Sequence, residues 1–476
     1  MTNYILSPCA MAAEGLTSLM MNGGQRPVWL QPNVETRLSI PTAFSAKEIV
    51  VFIPNDPLWM LLVLREASRL LSSAKPPLSM VLLSRSPAPW LWKTMLHQVG
   101  DQQLLEAVKM IPSDLPWCQL ETFLVQGLSD YPTLRQISAI EIQAYYKTSL
   151  GLGKEELNTV FALLHEQSII SYARTRGVSL KTLYSQKKSG LNKIVAYHPH
   201  FAAYFPGFIP KRILEQDVTE LTVFEREFIF AIHAKQIFPV FQPIVDYSLR
   251  LKGGEVLSRW KKSGVVLYPG EFLPYIRSEF TWFLLTFYIL QEAVKNINRY
   301  KGMVYFSINI PPCVANHDNL CRIMDIAKKK LKNQQWVDRL VLEFSESIDF
   351  QYQRKAVENI ENLQRVGFRI FLDDCFSLSS VVLPVRMPIF NGYKLDMSVI
   401  CDLQNNPKIS LLIKSLVYYC RLVQSHCIAE GIDSLESFNR FKELGVKFFQ
   451  GDLFSSPVAQ EDLDDVYRRF YHNVNS

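Results

Sequence analysis

Gly253-Gly254-Glu255-Val256-Leu257-Ser258-Arg259-Trp260 is the stretch on which the reading of the C-terminal half turns. It is one of eight apolar strand candidates: Phe238–Val245, Gly254–Arg259, Met303–Ile310, Leu340–Phe344, Phe368–Asp373, Tyr393–Asp396, Cys427–Glu430 and Lys447–Gln450. Helical patterns lie between most of them, at Phe283–Asn298, Leu320–Asn333, Lys355–Arg365, Lys408–His426 and Ser434–Leu444. Eight strands alternating with helices predict an α/β fold, a TIM-like (β/α)8 barrel over residues 225–470.

Polar residues gather at the strand ends: Glu255, Asn309, Glu343, Asp373, Asp374, Lys394, Glu430 and Gln450. In such a barrel the C-terminal rim is where reactive groups converge. Five carboxylates and an amide form an oxygen-rich ligand set, which selects hard divalent ions such as Mg²⁺ or Mn²⁺. Without a cation, so many carboxylates in one place repel one another and resist ionisation. Adjacent Asp373 and Asp374 can each serve one ion, or Asp373 can bridge two.

These motifs resemble the EAL domain family, phosphodiesterases that linearise cyclic di-GMP. Glu255-Val256-Leu257 stands in the place of the family's Glu-Ala-Leu, preceded by Gln242-Pro243-Ile244-Val245. Ser307-Ile308-Asn309, Glu343-Phe344-Ser345-Glu346-Ser347, Leu372-Asp373-Asp374, Lys394-Leu395-Asp396, Ala429-Glu430-Gly431-Ile432 and Phe449-Gln450-Gly451 follow in the family's order. The resemblance implies that Glu255, Asn309, Glu343 and Asp373 hold one metal, and Asp373, Asp374 and Glu430 a second. It makes Lys394 the residue that orients the attacking water, with Gln450 assisting, and Glu346 the tether of the loop after strand five. Gln242, Arg259 and Asp396 would contact substrate, Arg259 through its phosphate. The implied product is linear pGpG.

The sequence departs from the family at two places. Val256 replaces the signature alanine. After Asp374 the family has Phe-Gly-Thr-Gly-Tyr-Ser-Ser, where this chain has the shorter, glycine-free Cys375-Phe376-Ser377-Leu378-Ser379-Ser380. The family associates that loop with metal occupancy and dimer-coupled activation, so lower activity, or activity uncoupled from dimerisation, is expected. The alternative is a barrel that binds cyclic di-GMP without hydrolysing it. The synthase signature Gly-Gly-Asp/Glu-Glu-Phe is absent from the sequence, so synthesis of the dinucleotide is not expected.

Residues 141–197 read as helical and basic. Glu155–His165 is amphipathic, a second helix starts at Ser168, Arg176-Gly177-Val178 is the turn, and Ser179 caps a third helix to about Ile194. Leu180, Leu183 and Leu191 are expected inside, and Lys181, Thr182, Tyr184, Ser185, Lys187 and Lys188 outside. The string resembles the LuxR-type helix-turn-helix. That implies a third helix in the major groove, with Lys181, Thr182, Tyr184, Lys187 and Lys188 on DNA. Together the two resemblances imply a homodimeric bacterial regulator of fimbriae, biofilm or motility.

Residues 1–140 carry strand candidates at Ile49–Ile53 and Met80–Leu83 around a helix at Leu61–Ala74, predicting a small α/β domain whose layout suits a receiver-like fold. Its many prolines are expected to break the elements short. No acidic cluster marks the strand ends, so phosphorylation is not the expected input. Residues 198–224 read as a linker, and His198 and His200 lack a third ligand nearby. The eight cysteines have no metal or redox spacing and read as buried free thiols. No signal peptide is read, and the longest apolar run, Phe280–Leu290, suits a buried helix better than the roughly 20 residues of a membrane span. A cytoplasmic protein with no membrane contact is expected. The net charge of +6 is too mild for this length to argue a partner.

Overall fold

The computed structural model describes residues 2–21, 26–34, 46–73, 78–146, 150–165, 168–205, 208, 221–345, 348, 353–375, 390–399 and 407–471. The chain divides into two compact units, Met1–Lys235 and Gln236–Ser476.

In the first unit, β1 (Thr2–Leu6), β2 (Val28–Leu30), β3 (Ala46–Phe52), β4 (Ser79–Leu83) and β5 (Val108–Ile111) form one parallel sheet in the order β2-β1-β3-β4-β5. This is the order of a doubly wound sheet. The apolar segments at 49–52 and 80–83 fall in β3 and β4, and all but the half-buried Phe52 are buried, as central parallel strands require. Several prolines do not shorten elements as expected. Pro57 begins the 17-residue helix Pro57–Ser73, and Pro89 lies in the first turn of Ala88–Val99. A first-turn proline has no intrahelical N–H partner to lose.

Helices Lys154–Leu164, Ile169–Arg176 and Leu180–Tyr197 follow. Ser168 Oγ accepts from Ser171 N and Ser179 Oγ from Thr182 N, each at 3.1 Å, and Gly177 takes φ 66° at the turn. Gly190 lets the first and third helices approach: a Cβ there would lie 2.9 Å from Val160 Cγ2. Leu183 and Leu191 are buried as expected, but Leu180 is 44% exposed. Leu180 is the first residue of its helix, and the buried positions 183, 190, 191, 194, 195 and 197 lie further along it. Lys181, Thr182, Tyr184 and Lys188 are exposed and Lys187 is half-buried.

Between 198 and 224, Pro199–Tyr204 forms a 3-10 turn with Phe201 buried. His198 packs against the Phe201 ring at 5.0 Å and the Trp90 ring at 4.9 Å, an aromatic setting that pushes its pKa down to about 3 through burial and the neighbouring His200. Helix Val223–His233 packs within the first unit, past the expected boundary at 225. Phe230 stacks on Tyr131 at 5.0 Å, and Arg226 meets Asp114 at 2.6 Å.

The second unit holds all eight expected strands: β6 (Ile237–Asp246), β7 (Leu251–Lys262), β9 (Tyr305–Ile310), β10 (Leu340–Ser345), β11 (Arg369–Cys375), β12 (Gly392–Leu395), β13 (His426–Ala429) and β14 (Phe448–Gln450). The short β8 (Val265–Leu267) pairs outside the barrel with β7. The sheet runs β6-β14-β13-β12-β11-β10-β9-β7, and β6–β7 pairing closes it. It departs from a uniform (β/α)8 barrel in one respect: β6 is antiparallel to both β7 and β14. Only residues 247–250 join β6 to β7, with Leu249 at φ 58°, and a parallel connection needs a dozen residues or more.

No helix among the described residues is long and apolar enough to cross a membrane. The apolar run at 280–290 lies in helix Glu279–Arg299, with Phe283, Leu284, Phe287 and Leu290 buried. Cys375, Cys420 and Cys427 are buried and in no disulfide, whereas Cys118, in the first turn of helix Trp117–Gln126 beside the exposed Trp117, is exposed.

Candidate active site

Side chains alternate along a strand, so every second residue of each barrel strand faces the interior. One interior layer is apolar: Ile244, Tyr305, Val341, Phe371 and Ile428, with Phe448 against it. Gly253 and Gly392 make room for its rings, since a Cβ on either would lie 2.6 Å from the ring of Tyr305 or Phe371. Two residues further along the parallel strands stand Glu255, Ser307, Glu343, Asp373, Lys394, Glu430 and Gln450. On antiparallel β6 the equivalent step is two residues earlier, Gln242, which pairs with Glu255. The apolar layer is thus the floor of a polar site at the C-terminal mouth.

Lys394, 1% exposed, is the centre of that site. Its Nζ donates to Glu255 Oε2 at 3.1 Å and Glu343 Oε2 at 2.8 Å, and forms ion pairs with Asp373 Oδ1 at 3.2 Å and Glu430 Oε1 at 2.5 Å. Glu255 also accepts from Asn309 Nδ2 at 2.7 Å and Gln450 Nε2 at 2.8 Å, and Gln450 Nε2 donates to Gln242 Oε1 at 2.9 Å. Asp373, Asp374 and Glu430 bring one oxygen each within 4.8 Å of one another.

Two adjacent residues of a regular strand point to opposite faces, so Asp373 and Asp374 need a local device to share a site. The β11–β12 register shifts between Leu372 and Cys375, and Asp374 takes φ 56°. A bulge with one left-handed residue turns both carboxylates to the same side, and aspartate tolerates that conformation better than most residues.

The electrostatics follow from burial and crowding. Burial lowers the affinity of Lys394 for its proton, but the charges of Asp373, Glu255, Glu343 and Glu430 outweigh it and raise its pKa well above the usual ammonium value. Burial pushes Glu343 well up, and the charges of Glu255 and Asp373 add to that. Glu430 and Asp373 are raised for the same reasons. At Glu255 burial is overcome by the Lys394 charge and the hydrogen bonds from Gln450, Lys394 and Asn309, so its pKa is lowered.

The buried Glu343 Oε1 has no hydrogen-bond partner among the described residues, and Asp373 Oδ1 and Glu430 Oε1 meet Lys394 only as ion pairs. Buried carboxylate oxygens left under-satisfied beside a single ammonium fit an oxygen-ligated divalent cation.

The contacts join eight of the expected residues, together with Gln242, into one site. Arg259 and Asp396 stand apart from this network. Arg259 Nη1 donates to Ser258 O at 2.8 Å and its guanidinium lies over the Tyr268 ring at 4.6 Å. Asp396 Oδ1 accepts from Ser398 N at 2.8 Å. Glu346 and residues 376–389 of the altered loop lie outside the described residues. Tyr268 was not anticipated as the platform under Arg259. No motif surrounds it, and the β7–β8 hairpin that brings it back is its only signal.

The profile of the EAL domain family matches residues 225–457. The probable cyclic di-GMP phosphodiesterase PdeN of Escherichia coli K12 is 25% identical over 50% of this chain and 46% of its own length. The cyclic di-GMP phosphodiesterase PdeR of the same organism is 22% identical over 79% of this chain and 56% of its own. The chain spans about half the length of the curated relatives it matches. Among solved structures, the EAL domain protein of Listeria monocytogenes EGD-e is similar with a TM-score of 0.47 and 25% identity, over 53% of this chain and 99% of that one.

Proposed function

We propose, from the match of residues 225–457 to the EAL domain family, that this chain is a metal-dependent phosphodiesterase that hydrolyses cyclic di-GMP to linear pGpG. The observation that carries the reading is the convergence of Glu255, Glu343, Asp373 and Glu430 on Lys394 at the mouth of the barrel. Glu255, Asn309, Glu343 and Asp373 are the proposed holders of one Mg²⁺ or Mn²⁺ ion, and Asp373, Asp374 and Glu430 of a second. Such ions supply an acidified water and stabilise charge on the reacting phosphate.

The chain's own groups do the positioning. Lys394, whose Nζ donates to Glu255 and Glu343, is the proposed donor that orients water or a phosphate oxygen. Gln450 spends its amide N–H groups on Gln242 and Glu255, leaving a buried Oε1 without a hydrogen-bond partner among the described residues. That oxygen is placed to accept from the attacking water. Arg259, supported on Tyr268, presents a fork suited to two phosphate oxygens. Gln242 and Asp396 are the further substrate contacts, and Glu346 the proposed tether of the following loop.

The test incubates the full chain with cyclic di-GMP and Mg²⁺ or Mn²⁺ and follows pGpG by chromatography. Metal-dependent product that disappears in Glu255→Ala supports the reading. A folded chain that binds cyclic di-GMP and yields no pGpG in either metal overturns it. The shortened sequence Cys375–Ser380 favours that second reading, a binding module without turnover.

We also propose that helix Leu180–Tyr197 is the recognition helix of a DNA-binding module, with Lys181, Thr182, Tyr184, Lys187 and Lys188 on the duplex and a homodimer as the unit that binds. Regulation of fimbrial, biofilm or motility genes is its proposed output. The support is a serine-capped helix that follows a glycine turn and exposes basic side chains. Fluorescence anisotropy on genomic operator fragments checks it. Affinity that falls with salt and drops in Lys181→Ala/Lys188→Ala is expected; equal binding by the double variant defeats it.

A further inference from the structure

The alternation that builds the acidic mouth also determines the opposite end of the barrel. Two residues before Tyr305, Val341, Phe371 and Ile428 stand Met303, Arg339, Arg369 and His426. With Lys252 and Phe448 among its other walls, this layer bounds a cavity of about 320 Å³. The apolar layer lies between this cavity and the carboxylates, so the barrel is acidic at one mouth and cationic at the other.

No carboxylate lines the cavity among the described residues. Lys252 and Arg339 have partial counter-charges outside it, Asp246 at 3.1 Å and Asp338 at 3.6 Å. Arg369 is held differently. Its Nε donates to the Asp338 carbonyl oxygen at 2.6 Å, and its guanidinium lies over the Tyr305 ring at 4.7 Å and the Phe371 ring at 5.9 Å. These contacts fix the plane of the fork. Its Nη2 is buried with no hydrogen-bond partner among the described residues. Burial lowers the Arg369 pKa, and burial together with Arg369 and Lys447 lowers that of His426. A buried guanidinium nitrogen without an acceptor, in a space large enough for a small molecule, lacks an anion. The neighbouring surface is flat and aromatic: Phe371 and Phe448 line the same cavity, and the His426 ring meets Phe448 edge-on at 4.7 Å.

We propose that this cavity binds a small aromatic anion, a phosphate or carboxylate carried on a flat ring, with the anionic group on Arg369 Nη2 and the ring against Phe371 and Phe448. A planar fork suits two oxygens of either group. The volume limits the ligand to about the size of one nucleotide or one aromatic acid. The inference does not depend on phosphodiesterase activity, because the site is at the other mouth and its occupancy is read without metal.

The test uses the full chain with ¹³C-methyl methionine, following the Met303 methyl by NMR and affinity by calorimetry. The probes are phenyl phosphate, GMP and 4-hydroxybenzoate, with phenol as the uncharged control. Met303 is 54% exposed, so Met303→Glu places a carboxylate at the cavity without disturbing the core. At least one anionic probe is expected to shift the Met303 methyl and bind better than phenol, and Met303→Glu and Arg369→Gln to weaken it roughly tenfold or more. Preference for GMP points to nucleotides as the source and preference for 4-hydroxybenzoate to aromatic acids; both support the site. If Arg369→Gln does not fold, the Met303→Glu comparison decides alone. No shift with any probe at millimolar concentration, or undiminished binding in Met303→Glu, overturns the proposal.

Discussion

Lys394 carries the largest electrostatic burden in the barrel, because one buried ammonium offsets Glu255, Glu343, Asp373 and Glu430. Lys394→Met removes the charge and keeps most of the volume. The carboxylates then repel without a counter-ion, so the metal-free chain is expected to lose about 3 kcal/mol of stability. Mn²⁺ should restore much of that loss, since a ligand that binds only the folded state stabilises it. Turnover should fall by roughly 100-fold or more, because a positioned donor is lost. Thermal melts with and without Mn²⁺ and the pGpG assay check all three. Loss of stability that Mn²⁺ does not recover would mean that the carboxylates are not the metal's ligands. A second residue, Gly451, acts through geometry alone. It holds φ 153°, and a Cβ would lie 2.2 Å from the Ile432 carbonyl oxygen. Ile432 N bonds the Gln450 carbonyl at 3.0 Å, so displacing Ile432 also moves Gln450. Gly451→Ala should cost about 2–4 kcal/mol in denaturant melts and lower turnover even where the protein stays folded.

At the scale of elements, helices Lys154–Leu164 and Leu180–Tyr197 are joined by one polar knot as well as by the close approach at Gly190. Glu156 accepts from Lys193 Nζ at 2.8 Å on both oxygens, from Ser189 Oγ at 2.6 Å and from Gly153 N at 2.7 Å. Burial pushes this carboxyl up, but those bonds and the Lys193 charge outweigh it and leave its pKa lowered. A carboxyl depressed in the folded state contributes stability that is full above its unfolded value, about 4.3, and is lost as pH falls through the folded value. Glu156→Gln should therefore destabilise the first unit by about 1–3 kcal/mol at pH 7. The gap should narrow as pH drops below about 4, which denaturant melts at the two pH values would measure. A gap that does not change with pH would assign the effect to packing. Much of this element was legible in the sequence: Ser179, Gly177 and the Leu183/Leu191 spacing are local signals, and local geometry obeys them. Leu180 shares the helical angle of Leu183 and Leu191 but begins the helix, and angle alone does not encode how far along a helix its packing reaches. The strand direction of β6 was equally illegible, since an apolar run carries no direction and only the shortness of the 247–250 connection encodes it. The shared side of Asp373 and Asp374 depends on a bulge set by β12, a tertiary partner that the dipeptide does not announce.

At the scale of the whole molecule, the sequence motif and the compact unit end at different places. The family match begins at residue 225, yet the unit boundary follows Lys235. The intervening helix, Val223–His233, contributes Phe230 to an aromatic cluster with Phe123 at 4.8 Å and Tyr131 at 5.0 Å. Arg226 and Glu227 add hydrogen bonds to Asp114 and Gln119 at 2.6–2.9 Å, and the buried Glu141 meets His233 at 3.7 Å. Similarity of residues does not encode which core a helix joins; the contacts of this helix with Asp114, Gln119, Phe123, Tyr131 and Glu141 do. A fragment of residues 1–235 should therefore fold cooperatively. One ending at residue 220 deprives Tyr131, Phe123 and Asp114 of their contacts with this helix and should melt at least several degrees lower, as losing one buried aromatic anchor costs about 3–5 kcal/mol. Phe230→Ala in the full chain should reproduce part of that loss in the transition of the first unit while leaving the Mn²⁺-dependent stabilisation of the barrel intact. Equal melting of the two fragments would show that the helix only rests on the first unit and is not part of its core.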